Sequence, residues 1–271
     1  MSNQAFLLDD GLPAGTAPGD VVVLDGAEGH HAVTVKRVRT GEAIDLLDGR
    51  GTRAGCTVQS TGKACLTARV DRITHDPAPA LRLVLVQALA KGDRDLQAVE
   101  AAVELGVDEV IPWQADRSVV RWPEAKAEKG RAKWAATVRA AVKQSRRTRL
   151  PEVHGVLTTG QLAARLDRAA GEGARQLPLI LHEQATEPLS AVVRDFLHDG
   201  GSGAGTAGQD AGVPAILLIV GPEGGIADPE VERLAAAGAR TALLGHHVLR
   251  ASTAGPAALV LARHLAGLLD A

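Results

Sequence analysis

Apolar and polar positions alternate in two different ways along the chain. In the first 75 residues the apolar runs are short: Val21 to Leu24, Ala43 to Leu47, Thr57-Val58 and Cys65 to Ile73. Gly, Asp and Arg turns such as Asp48-Gly49-Arg50-Gly51 separate them. This pattern predicts a small, mostly antiparallel β domain over 1–75. One short helix is expected within it, with His31, Val35 and Val38 along one face. Asp76-Pro77-Ala78-Pro79-Ala80 reads as a stiff linker. From residue 80 to 271 strands alternate with helices. Strands are expected at 81–89, 107–112, 177–181, 216–220 and 241–244. Helices are expected around 96–103 (with Gly106 as its cap) and at 124–145, 189–196, 229–237 and 256–269. Such alternation implies an α/β domain with a parallel sheet covered by helices.

The run from Leu217 to Val220 is apolar throughout, as in a strand buried on both faces, and it ends in Gly221-Pro222-Glu223-Gly224-Gly225. Asp228 and Pro229 suit the N-cap and first position of the next helix. About twenty residues later, Leu243-Leu244-Gly245-His246-His247-Val248-Leu249-Arg250 is a second strand end entering a turn. Ligands of open α/β sheets bind beyond the carboxyl ends of strands, so two such corners suggest one pocket built largely from backbone. His182-Glu183, after the strand ending at Leu181, is either a polar loop or a third wall of that pocket. Arg250 either holds a carboxylate or terminal carbonyls, or places a permanent cation at the pocket mouth, with Ser252 and Thr253 able to cap the final helix.

The glycine turn is not a P-loop, because it lacks the Lys and Ser/Thr that grip phosphates and magnesium, and Glu223 would repel a phosphate. Gly203 to Gly208 matches G-x-G-x-x-G letter for letter, but no strand precedes it and no periodic helix follows, so it reads as a surface insertion. His246-His247 lacks further ligands at metal spacing, and no metal is expected. A formal net charge of -2 excludes a uniformly basic nucleic-acid binder, and the absence of Tyr argues against aromatic base stacking. A local basic run remains. Arg131 to Arg149 holds Arg131, Lys133, Arg139, Lys143, Arg146, Arg147 and Arg149 with no acidic residue, which favours phosphate contact. His30, Lys36, Arg37 and Arg39 form a weaker basic set. Cys56 and Cys65, possible neighbours on adjacent strands, are expected to stay reduced. No apolar stretch reaches the roughly 20 residues that span a bilayer, and a cytoplasmic protein without membrane contact is expected.

Taken together, Glu28-Gly29-His30-His31, Val38-Arg39, Leu47-Asp48-Gly49, Gln87 to Gly92, Glu104 to Val107 and Gln144 to Pro151 resemble the RsmE-type small-subunit ribosomal RNA methyltransferases. The most specific likeness is the pair Gly221 to Gly225 and Leu243-Leu244-Gly245 through Val248-Leu249-Arg250. The resemblance implies a PUA-like β-barrel domain followed by a SPOUT methyltransferase domain with a trefoil knot and a parallel sheet. It implies a homodimer, here with an isologous contact through the closing helix, which is apolar around most of its circumference. It also implies methylation of N3 of a uridine in the 16S rRNA of the 30S subunit.

In that likeness S-adenosylmethionine is held by Leu181, His182, Glu183, Val220, Gly221, Pro222, Glu223, Gly224, Gly225, Leu244, Gly245, Val248 and Leu249. Arg250 is then the catalytic candidate, and His30, Arg37, Arg39, Lys91, Arg146, Arg147 and Arg149 contact RNA. The general base stays open between His182, Glu223 and water. Two departures stand out: Ala251-Ser252-Thr253 follows Arg250 where many relatives have Thr-Glu-Thr, and Lys143-Gln144 replaces Glu-Gln. The rival readings are a non-catalytic RNA-binding ribosome assembly factor and a nucleotide-dependent phosphoryl-transfer enzyme.

Overall fold

A computed structural model describes residues 3–199 and 212–269; the Gly-rich run at 203–208 lies outside the described residues. The chain forms two compact units, Met1–Ala78 with Arg139–Leu150, and Pro79–Val138 with Pro151–Ala271.

The first unit is built on strands β1 (Gln4–Leu7), β2 (Val21–Leu24), β3 (Ala43–Leu47), β4 (Thr52–Thr61) and β5 (Leu66–His75), in the order β1-β3-β4-β5-β2. The β1–β3 pair is parallel and the other pairs are antiparallel. The strand β1 is four residues long and does not alternate, so hydrophobic patterning does not reveal it. Phe6, Leu24, Ile44, Leu46, Val58, Leu66 and Val70 form the core. Helix α1 (Gly26–His30) passes into a π-helical turn over His31–Val35, closed by Lys36 N donating to His31 O at 2.9 Å. That wider turn corrects the expected helix face: Val38 is buried, but Val35 is rotated out to 59% exposure. Cys56 lies opposite Val70 rather than Cys65, and both thiols are free.

Residues 139–150 include the last turns of helix α3 (Glu124–Ser145) and the chain beyond it. Within the first unit Arg139 pairs with Asp9 at 2.5 Å, and Lys143 pairs with Glu28 at 2.6 Å. Arg149 donates from Nε and Nη2 to the carbonyls of Pro77 and Asp76.

The second unit is a parallel sheet of β6 (Arg82–Ala88), β7 (Glu109–Gln114), β8 (Glu152–Val153), β9 (Leu157–Thr158), β10 (Gln176–Leu181), β11 (Ala215–Val220) and β12 (Arg240–Ala242). Its order is β12-β10-β11-β6-β7-β8, with β9 also pairing β7. Helices α2 (Arg94–Glu104), α4 (Thr159–Gly171), α5 (Leu189–Asp199), α6 (Asp228–Ala236) and α7 (Ala251–Leu265) connect and cover it. On one face Val84, Val86, Ile111, Trp113, Ile180 and Ile219 pack against Leu162, Leu166 and Leu234. On the other face α7 packs on β6 and β11, close enough that a Cβ on Gly255 would lie 2.7 Å from Leu85 Cδ1.

One helix is unexpected and two expected boundaries shift. Helix α4 went unpredicted, although Thr158 and Gln161 form a capping box: Thr158 N donates to Gln161 Oε1 at 2.9 Å, and Gln161 N to Thr158 Oγ1 at 3.3 Å. Helix α6 is capped at Ala227, which places Asp228 and Pro229 inside its first turn. Helix α7 starts at Ala251 with Arg250 as N-cap, so Ser252 and Thr253 lie within the helix and do not cap it. Gly106, at φ +99°, does follow the end of α2 as expected. Among the described residues no helix is long and apolar enough to cross a membrane.

Candidate active site

Parallel pairing decides which loops meet. Ile180 lies opposite Ile219, and Leu181 opposite Ala242, so β11, β10 and β12 end side by side. Beyond these ends is a cleft of about 890 Å³, within the size range of small-molecule sites. It is lined by Leu181, His182 and Glu183; by Val220, Gly221, Pro222, Glu223, Gly224 and Gly225; and by Leu244, Gly245, Val248, Leu249 and Arg250. The structure thus gathers every residue expected to hold the small ligand, and the catalytic candidate, around one space.

Each wall has its own local cause. His182 N donates to Ala242 O at 3.2 Å, tying the first loop to β12, and Gln184 N donates to His182 Nδ1 at 3.2 Å. The glycine turn closes through Gly225 N to Pro222 O at 2.9 Å, with Gly225 at φ +73°. A Cβ on Gly221 would sit 2.6 Å from Ile226 Cγ1, so only glycine lets the turn fold over that buried side chain. The third loop is fastened at its base, where Leu243 N donates to Glu187 O and Leu189 N to Leu243 O. Beyond that point the main chain of Leu244 to Leu249 makes no main-chain hydrogen bond among the described residues. Gly245, at φ +77°, has open space where a Cβ would project. Unused N–H and C=O groups in a row along a cleft can bind a polar ligand edge-on.

A buried network sets the angle of the glycine turn. Glu230, 2% exposed, accepts from Thr159 Oγ1 at 2.5 Å, Asp116 N at 2.9 Å and Ala227 N at 3.2 Å. Thr159 Oγ1 in turn accepts from Trp113 Nε1 at 3.1 Å. One carboxylate therefore joins the starts of α4 and α6 to the loop after β7.

Two cleft cations escaped sequence analysis, Arg94 and Arg117. Glu223 Oε1 accepts from Lys91 N and from Arg94 Nη1, both at 3.1 Å. Arg117 Nη1 donates to Gly224 O at 3.2 Å. The strand-end rule that picked out β11 and β12 applies equally to β6 and β7 and could have found both. His246 and His247 also line the cleft.

The basic run takes on a different meaning in the fold. Arg131 pairs with Glu128, Lys133 with Asp93, Arg139 with Asp9 and Lys143 with Glu28. These carboxylates lie outside the run in sequence, so its apparent lack of compensation is corrected. Arg146 is exposed with φ +57°, Arg147 is half-buried, and Arg149 is tied to backbone. His30, Arg37 and Arg39 are exposed on the first unit, and Lys91 is exposed on the second. Away from the cleft lining, Glu109, Glu152 and His154 cluster. The hydrogen bond from His154 (2.8 Å) outweighs burial and, with Arg82 and Arg165, holds the Glu109 carboxyl below the usual range. Those guanidiniums already occupy the charge a cation would need.

Residues 77–263 match the family model of the RNA methyltransferase domain, and residues 24–70 match the RNA methyltransferase PUA domain. The Mycobacterium bovis ribosomal RNA small subunit methyltransferase E is 43% identical over 241 residues, covering 89% of this chain and 85% of the relative. The Bacillus subtilis protein of the same name is 30% identical over 240 residues, covering 85% of each. The crystal structure of ribosomal RNA small subunit methyltransferase E from Neisseria gonorrhoeae, bound to S-adenosyl methionine, superposes with a TM-score of 0.75 at 28% identity, covering 97% of this chain and 98% of that one.

Proposed function

The chain belongs to the family of ribosomal RNA small subunit methyltransferases E, and we propose that it methylates N3 of a uridine in 16S rRNA using S-adenosylmethionine. The observation that carries this reading is the convergence of the β10, β11 and β12 loops on one cleft lined by unused main-chain groups. The cleft fits the ligand chemically. Free N–H and C=O groups from Leu244 to Leu249 suit the edge of an adenine, and Gly221, Gly225 and Gly245 keep side chains out of the way. When bound, S-adenosylmethionine supplies a methyl group already activated by the sulfonium.

The protein's own tasks are alignment and charge. Fixing two reactants in line is worth about 7–11 kcal/mol of barrier, and the network through Glu230 gives the glycine turn that rigidity. Arg250 stabilises the negative charge that spreads onto the uracil oxygens as N3 loses its proton. Glu223 braces the Lys91–Arg94 segment, so its shared oxygen is poorly placed to act as base. His182 accepts at Nδ1, which puts the proton of a neutral ring on the other nitrogen. Water and the second oxygen of Glu223, Oε2, remain as acceptors of the N3 proton. N3 lies on the pairing edge of the base, so the uridine is unpaired or extruded, at a cost of a few kcal/mol.

The finer architecture follows the same reading. The second unit is a SPOUT domain whose C-terminal segment forms a trefoil knot; the clasp of Leu243 between Glu187 and Leu189 supports this. The first unit is a PUA-like barrel over residues 1–75, which residues 139–150 join, and the SPOUT domain takes the rest of 80–271. His30, Arg37, Arg39, Arg146, Arg147 and Arg149, together with Lys91, serve RNA, with Arg149 acting mainly by fixing the segment that carries its neighbours. The protein works in the cytoplasm as a homodimer joined through α7, whose apolar Val260, Leu261 and Leu265 stay only partly buried. A monomer mass by light scattering at micromolar concentration would refute that assembly.

The deciding experiment incubates the protein with unmodified 30S subunits and labelled S-adenosylmethionine, then maps modified nucleotides by mass spectrometry. One labelled uridine, methylated at N3, is the expected product. Tight 30S binding without label transfer would favour the assembly-factor reading instead.

A further inference from the structure

The cleft has two walls of different character. The loops after β10, β11 and β12 form the wall assigned above to the methyl donor. On the far side of β11 the sheet continues with β6 and β7, whose carboxyl ends add Arg94 and Arg117 to the lining, with Lys91 next to them through its main-chain N–H on Glu223. The carboxylates near these cations are mostly occupied: Lys133 holds Asp93 at 2.8 Å, and Arg94 holds Glu223 at 3.1 Å. Arg117 has no carboxylate within ion-pair distance among the described residues, and neither does the Lys91 ammonium. Asp116, Glu183 and Asp228 are the neighbouring acids outside these ion pairs, and Arg121, exposed beside Asp116, adds a further cation to the Arg117 loop.

Arg117 is held in place rather than loose. Its loop is pinned by Asp116 N on buried Glu230 at 2.9 Å, by Arg121 Nη2 on Asp116 O at 2.5 Å and by Ser118 N on Ala115 O at 3.0 Å. One nitrogen, Nη1, is spent on Gly224 O at 3.2 Å, while the residue as a whole stays exposed. A preorganised guanidinium with free donors at the rim of a cleft suits an anionic oxygen pair from a docking macromolecule.

We propose that Arg117, supported by Lys91, grips a backbone phosphate of the RNA beside the nucleotide that enters the cleft. This rests on the methyltransferase reading and deepens it. The same guanidinium chemistry would also suit the carboxylate of the methyl donor. Its position on the β7 loop, two strands away from β11, and its exposure favour the polymer.

The test compares Arg117→Met and Arg117→Lys with the unaltered full-length protein, using Arg168→Met as a charge-matched control. Arg168 is an exposed residue of α4 outside the cleft lining. Affinity for unmodified 30S subunits is measured across a salt series, and affinity for S-adenosylmethionine by calorimetry. Arg117→Met should weaken 30S binding about tenfold and lower the salt slope by about one, with cofactor affinity within about twofold. Arg117→Lys should keep the slope, because it keeps the charge. Loss of cofactor affinity with 30S binding intact would reassign the guanidinium to the donor's carboxylate and overturn the proposal. Parallel loss of both would make Arg117 a prop for the glycine turn. An unchanged slope, or an equal fall in Arg168→Met, would leave no phosphate site. A wild-type protein that binds 30S subunits but transfers no methyl would sink the parent reading while leaving this salt comparison readable.

Discussion

Replacing Glu230 with alanine tests how the second unit shapes its cleft. The change removes the one acceptor that, among the described residues, three donors share: Thr159 Oγ1, Asp116 N and Ala227 N. Hydrogen bonds to a charged group contribute about 1.5–3 kcal/mol each, which sets an upper bound of roughly 5–9 kcal/mol. Two effects reduce it. Asp116 is exposed and Ala227 only half-buried, so water can reach those two amides. Deleting a buried carboxylate also recovers its desolvation cost, several kcal/mol in proteins. The net loss should be about 2–4 kcal/mol, most of it from the Thr159–Trp113 side, where nothing replaces the acceptor. For a unit of this size that corresponds to a drop of roughly 5–15 °C in Tm. Glu230→Gln keeps one acceptor oxygen but turns an NH₂ toward a donor, and should lose about half as much. Calorimetric and urea unfolding supply the stability, and S-adenosylmethionine titration below the new Tm supplies the functional link. Cofactor affinity should fall in step, because the carboxylate fixes the segment just after the glycine turn and the loop whose Arg117 holds Gly224 O. A loss under about 0.5 kcal/mol, or full cofactor affinity in a destabilised Glu230→Ala protein, would refute this account.

Further outcomes follow from other parts of the structure. Arg250→Ala should lower kcat about 100-fold while changing cofactor affinity little; equal losses would make Arg250 a binding residue. Gly245→Val should abolish cofactor uptake in calorimetry while costing about 1–3 kcal/mol of stability, because valine is strained at φ +77° and its side chain enters open space. Glu109 titrates below its unfolded range, so its contribution is complete above the unfolded pKa and is lost as pH falls through the folded one. Glu109→Gln should therefore flatten the decline of the urea midpoint below about pH 4. Burial, followed by Asp71 and Asp45, pushes the Cys56 thiol up to about 12. Iodoacetamide at pH 8 should therefore label Cys65 first in peptide mass maps, and early labelling of Cys56 would contradict its buried position.

Much of the site was legible because its signals are local. The apolar run Ile216 to Val220 has no solvent face, and the glycines after it mark where a strand must stop. The same holds at Leu181 and Leu244. Elements whose pattern is short or ambiguous were hidden: β1 with four residues, and β8 and β9 with two each. They exist because neighbouring strands offer them hydrogen bonds, a cause outside their own letters. The π-helical turn that exposes Val35 belongs to the same class.

Charge shows the division most clearly. Arg139 and Lys143 look unpaired until Asp9 and Glu28, more than a hundred residues away in sequence, are brought beside them. Within the second unit, sheet order made three adjacent loops out of β10, β11 and β12 and set β6 and β7 opposite them, adding Arg94 and Arg117 to the cleft. The sequence alone determined where strands, turns and strand-end glycines occur, since those depend on hydrophobic periodicity and on each residue's own backbone freedom. Only tertiary structure decided which ends meet and which charges cancel. Strand pairing runs through main-chain groups that every residue shares, and ion pairs form between side chains whose separation along the chain carries no information about their distance in space.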